Sequence, residues 1–223
     1  MKQKVYWEQR MKDLTESENK ILKELNRVYK RAYSKLELAL SDIYIQMIED
    51  GAVSPANLYK YDRYTTLQKA LTDLANDMGK EEQMTISSWL EELYRSEFQQ
   101  YAEFMGDKTF YNVYPQQVEA AVKTNWSGEH FSDRVWNNKK LLVQQLDKII
   151  LDGIALGVSR KELNKMMLKK FNTVYYCADR IVRTESMFIY NRAHYDYYSK
   201  AGIRQYEFLA EIDSRTSVKC KDH

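Results

Sequence analysis

Four groups of residues in this chain have the types and spacing that chemistry could use. Cys220-Lys221-Asp222-His223 has the C-x-x-H spacing of two zinc ligands. Zinc takes about four; no second pair stands upstream, and nothing in the sequence fixes Cys177 or His194 of the preceding helix nearby. Glu211 and Asp213, two apart on a strand, would leave the same face as an acid pair of the kind hydrolysis needs. A strand-end charge followed by a turn aspartate accounts for them more simply. Lys139, Lys140, Lys165, Lys169 and Lys170 lie among Trp136, Phe171, Tyr175 and Tyr176, and exposed lysines contact phosphates. A charge run is more often a solvated helix face. Finally, Arg183-Thr184-Glu185 interrupts an apolar helical pattern. A charge in such a place must be paired, because leaving it unpaired costs several kcal/mol.

The elements that position these residues follow from composition and periodicity. Only 2 Pro and 7 Gly in 223 residues leave few breakers, so long helices are expected. A net charge of +2 does not mark a bulk nucleic-acid binder. Two cysteines give no disulfide framework and point to a reducing interior. The N-terminus lacks the apolar stretch of a signal peptide, and no run reaches the length of a membrane span. Synthesis in the cytoplasm is therefore expected, with no membrane partner.

A stripe from Ile21 through Leu25, Val28, Ala32, Leu36, Ala39, Ile43 and Met47 predicts a helix over residues 15–50, with Thr15 and Glu18 as a capping box. Ser54-Pro55 restarts a helix. Leu67 to Met78 carries the next stripe, stopped at Gly79, and Ile86 to Tyr101 carries a third, closed by Gly106. These read as an antiparallel bundle over residues 1–110. After a connector with a short helix from Pro115, a helix runs from Ser132 to Leu156. Ser159 and Glu162 form a second capping box before a short helix ending at Phe171. Another helix, capped by Asn172 or Thr173, carries Arg183-Thr184-Glu185 and ends at Gly202. Tyr206, Phe208, Ala210 and Ile212 then alternate with period two, the mark of a strand. A lone strand cannot satisfy its backbone, so a truncated hairpin is expected and the native chain is expected to continue past His223. The fold class is therefore mostly α: an N-terminal helical bundle, then an α+β module over residues 111–223 with a C-terminal β-hairpin.

Within the polar helix, Glu185 needs an arginine. Arg183, Arg192 and Arg215 are candidates. Arg215 is favoured, since a turn arginine can fork onto a helix carboxylate. That pairing would pin helix to hairpin. The ordered set Arg183-Thr184-Glu185, Asn191-Arg192-Ala193, Gly202-Ile203, Tyr206 and Asp213-Ser214-Arg215-Thr216 resembles the phage minor head protein family, also called head morphogenesis or Mu F-like proteins. The resemblance covers roughly residues 130–223 and makes Arg183, Thr184, Glu185, Asn191, Asp213, Arg215 and Thr216 the structural motif. Ser217 stands where many relatives carry a first cysteine, which weakens the case for metal at Cys220 and His223.

The resemblance implies a non-enzymatic minor capsid protein, without cofactor, that joins the portal protein or the major capsid protein, with a scaffold protein and packaged DNA as further partners. It would sit in the virion, at the head interior or portal vertex, after assembly in the host cytoplasm. The alternative function is a DNA-binding factor that accompanies the packaged genome.

Overall fold

The computed structural model describes residues 2–106 and 112–205, with side chains from residue 5. Four long helices carry the molecule: α1 (Lys2–Glu49), α3 (Arg63–Phe104), α5 (Phe131–Ala155) and α6 (Arg160–Lys200). Short pieces join them: α2 (Pro55–Leu58), a 3-10 turn (Lys60–Asp62) and α4 (Pro115–Val122). At 1.5 Å per residue α1 is about 70 Å long.

Cross-helix contacts set the directions. Early α1 meets late α3 at Arg10–Glu97, and early α1 meets late α6 at Trp7–His194. Late α3 meets late α6 at Phe98–Tyr197. Early α5 meets α6 past its midpoint at Arg134–Glu185, while Gly153 near the end of α5 lies against Leu163 at the start of α6. Sequential long helices are therefore antiparallel, in an up-down-up-down bundle. Parallel α3 and α6 pack together across the middle, and each also packs on α1 and α5. The helices on either side of the boundary expected between residues 110 and 111 share one apolar core, from Leu14 and Leu25 to Val182 and Tyr197.

The expected α+β module is corrected. Among the described residues there is no strand and no sheet. Residues 160–200 form one helix whose apolar side joins the bundle core. No described backbone offers a ladder to a hairpin. The alternating stretch Tyr206–Ile212 and the Asp213–Thr216 turn lie outside the described residues.

Several boundaries have clear local causes. The Ser54 hydroxyl accepts the Asn57 N–H, with Pro55 in the first turn. Ser159 accepts the Glu162 N–H, as the capping box requires. Three boundaries in the sequence reading, two starts and one stop, fall inside helices. Thr15 lies mid-helix and donates to the Met11 carbonyl. Thr173 likewise donates to the Lys169 carbonyl inside α6. Gly79 sits within α3 because the Trp136 ring lies where a Cβ would be, 2.6 Å from it. Its small size serves packing against α5, at a propensity cost of about 1 kcal/mol. Before α3, Tyr61 (φ 51°) and Asp62 (φ 57°) adopt left-handed backbone, costly for non-glycine residues. Buried Arg63 holds this junction, donating to the Asn57 carbonyl at 2.9 Å and pairing with Asp50 at 2.6 Å.

Candidate functional site

Charged residues enter the bundle at three levels, each on a helix face whose period would otherwise place an apolar side chain there. At the central level, Glu82 of α3 follows Met78 and precedes Ile86, Lys139 of α5 follows Val135 and precedes Leu142, and Tyr29 of α1 is their neighbour. Lys139 Nζ donates to the Tyr29 hydroxyl at 2.6 Å and to Glu82 Oε2 at 2.5 Å, and the Tyr29 hydroxyl lies 2.7 Å from the same Oε2. Glu82 is 0% and Lys139 1% exposed. Burial pushes the Lys139 ammonium below its ordinary pKa, against the pull of Glu82. Burial pushes the Tyr29 phenol well above its own, reinforced by the Glu82 carboxylate.

The Arg-Thr-Glu motif forms two further ties, each to a different helix. Arg183 bonds Glu18 of α1 at 2.9 Å and Asp179 of its own helix at 3.0 Å. Ser186 donates to the other Glu18 oxygen. Burial raises the Glu18 pKa, opposed by the Ser186 bond and the Arg183 charge. Glu185, 4% exposed, turns toward α5. It pairs with Arg134 and accepts the Trp126 indole N–H at 3.0 Å. The Trp126 ring stacks on Phe188 of α6, with centroids 5.0 Å apart. Thr184 takes part in neither tie; the residue is half-buried and its hydroxyl donates to the Arg180 carbonyl of its own helix.

At the end where α1 begins, Arg10 pairs with Glu97 of α3, and the second Glu97 oxygen lies 3.6 Å from His194 Nε2 of α6. Rings of Trp7, Tyr101 and Tyr190 surround His194. Burial pushes the Tyr190 phenol up, and the Glu97 carboxylate adds to the shift.

The structure therefore separates residues that the sequence groups together. Asn191 is exposed and donates to the Met187 carbonyl. Arg192 pairs with Asp196, which also accepts from the Tyr94 hydroxyl at 2.6 Å. Glu185 is tied to Arg134 rather than to Arg183 or Arg192. Asp213, Arg215, Thr216, Cys220 and His223 lie outside the described residues, as do Glu211 and the C-x-x-H spacing. Of the proposed phosphate contacts, Lys139 is withdrawn into the core. Lys140 and Lys169 are exposed, Lys170 is half-buried, and Lys165 pairs with Glu162.

An open polar groove of about 310 Å³ between α5 and α6 is lined by Glu129, Arg134, Asn137, Cys177, Arg180 and Thr184. Within it, Asn137 donates to Glu129 and Arg134 is held by Glu185. Cys177 is a free, half-buried thiol on this groove. Among the described residues no three His, Cys, Asp or Glu side chains gather as a metal site, and no helix is long and apolar enough to cross a membrane. In the described residues, fold and polar ties together define an all-helical bundle cross-braced by buried ion pairs. No family model, no curated protein and no solved structure matches the chain.

Proposed function

We propose that this chain is a structural, non-enzymatic component of a phage head, docked to the portal protein or to the major capsid protein. One observation carries the reading. Glu185, the buried acid of the Arg-Thr-Glu motif, is held between Arg134 and the Trp126 indole as part of a helix-to-helix brace. The ordered resemblance of Arg183-Thr184-Glu185, Asn191-Arg192-Ala193 and Gly202-Ile203 to minor head proteins supplies the biological setting. A long, internally braced bundle suits a part that must present a fixed surface to a larger assembly.

The test is co-sedimentation of the purified chain with assembled portal rings and, separately, with capsid shells. Capture by either that survives moderate salt is the expected result. Absence of capture by both, together with an activity that Glu185→Gln abolishes without lowering the melting temperature, would replace this reading with an enzymatic one.

A further inference from the structure

We propose that the outer face of α1 between Lys20 and Lys35 is a binding surface for the phosphate backbone of duplex nucleic acid, read without regard to sequence. The chain as a whole has 34 Lys and Arg against 32 Asp and Glu. Between residues 20 and 35, however, stand Lys20, Lys23, Arg27, Lys30, Arg31 and Lys35 against one acid, Glu24. All six bases are exposed. Their steps of three and four residues, with Lys30 and Arg31 adjacent, keep them within roughly 140° of the helix circumference, and Glu24 falls in the same arc. Leu22, Leu25, Val28 and Leu36 occupy the opposite, buried side.

Pairing within the molecule does not neutralise this row. Arg31 bonds Glu81 of α3 at 2.5 Å. Lys20, Lys23, Arg27, Lys30 and Lys35 have no hydrogen bond or ion pair among the described residues. By contrast, Lys123 and Lys165 are ion-paired with Glu119 and Glu162 of their own helices, whereas Glu16 and Glu24, one turn either side of Lys20, form no such pair with the row. The row lies beside α6, as Tyr33–Asn164 and Tyr175–Leu22 show, and exposed Lys169 belongs to that stretch of α6.

Geometry selects the partner. The row extends about 22 Å at 1.5 Å per residue. A duplex carries one phosphate charge per about 1.7 Å of its axis, both strands counted, so a straight cationic row laid on it meets phosphates of both strands over that length. A protein partner would instead need apolar or aromatic anchors at the centre of its contact. No large apolar side chain is exposed between Met11 and Leu38 on this helix. The surface is separate from the Glu185 brace, so the proposal does not rest on the head-protein reading.

The experiment is fluorescence anisotropy with a labelled DNA duplex of arbitrary sequence, about 30 base pairs long, titrated at several salt concentrations between about 50 and 200 mM. With five or six contacts, the log–log dependence of the binding constant on salt should have a slope of about −4 to −5. A variant with Lys20, Lys23, Arg27, Lys30 and Lys35 all changed to Gln should lose at least about tenfold in affinity and most of that slope. A control variant with Lys60, Lys69, Lys80, Lys148 and Lys161 changed to Gln removes the same charge elsewhere and should keep the slope. If the fivefold α1 variant has a lowered melting temperature, Arg27→Gln alone serves, with a slope smaller by about 0.9. Absence of binding at about 50 mM salt, binding indifferent to salt, equal loss in the control, or equal competition by polyglutamate would each overturn the proposal.

Discussion

The central Glu82–Lys139–Tyr29 layer and the Glu185–Arg134–Trp126 brace use the same chemistry at different depths. In both, a carboxylate on one helix accepts from a cation on α5 and from a neutral donor. The central cation is almost fully buried, with 2% side-chain exposure, whereas Arg134 keeps 26%. Water can therefore replace part of what Arg134 loses, but little of what Lys139 loses. A buried pair rarely stabilises more than apolar residues of the same shape would. Its sharper effect is on register: Tyr29, Glu82 and Lys139 meet only when α1, α3 and α5 are aligned in one way. The outer brace does the same for α5 and α6, at lower desolvation cost.

The largest expected effect follows from depth. Lys139→Ala leaves Glu82 as a buried charge without its partner, and should destabilise the fold by about 3–5 kcal/mol. Chemical denaturation with a circular-dichroism readout measures it. The paired replacement Glu82→Leu with Lys139→Met should recover much of that loss, because both charges are then gone. A loss under about 1 kcal/mol for Lys139→Ala would break the comparison, since the central layer would then behave like a solvated pair.

Next comes Glu185→Gln. The amide keeps a carbonyl for the Trp126 indole but removes the charge facing Arg134, which can turn to solvent. The expected cost is about 1–3 kcal/mol, measured as a shift in urea midpoint at constant m-value. A cost equal to that of Lys139→Ala would show that depth does not separate the two sites.

Alkaline titration probes the centre differently. Tyr29, Tyr94, Tyr101 and Tyr190 all have raised pKa values, first because of burial. Unfolded tyrosines lose their protons near pH 10 while these four keep theirs, so the folded state binds more protons. Their contribution is complete below about pH 10 and is lost as pH climbs further. Lys139, with its lowered pKa, works in the opposite sense up to its unfolded value of 10.5, but it is one group against four. Urea midpoints taken from about pH 9 to 11 should therefore fall. Tyr29→Phe should show a shallower fall, whereas an unchanged slope would place the alkaline sensitivity away from the central layer.

Period and caps made much of the bundle legible. Ser54, Ser159, Pro115 and Gly157 mark boundaries by local chemistry, which operates within a few residues. Gly79 and Thr173 misled because their reasons are tertiary or incidental: one accommodates the Trp136 ring, and the other bonds back along its own helix. The braces were readable in part. Glu18, Glu82, Glu97 and Lys139 each occupy an apolar register, as between Leu14 and Leu22 or between Val135 and Leu142. A charge in that register announces a buried partner. Which partner it takes depends on helix alignment, so Arg134 could not be chosen over Arg192 or Arg215 from spacing alone. The period-two stretch after Gly202 suggested a sheet, but a two-residue period is a local property and implies no ladder to join.

The smallest expected effect tests whether the Arg-Thr-Glu triplet acts as a unit. Arg183 braces α1, Glu185 braces α5, and Thr184 between them bonds only the Arg180 carbonyl one turn back. Such a bond satisfies a hydroxyl that water would satisfy equally, and β-branched threonine is a poorer helix residue than alanine. Thr184→Ala should therefore change stability by no more than about 0.5 kcal/mol, the range of ordinary surface substitutions. Measured beside Glu185→Gln in the same denaturant series, it separates a motif whose outer members each hold a helix from one whose three residues serve a common site. A loss comparable to that of Glu185→Gln would mean that Thr184 contributes through an interaction other than its own helix backbone, and the division of the triplet between two helices would fail.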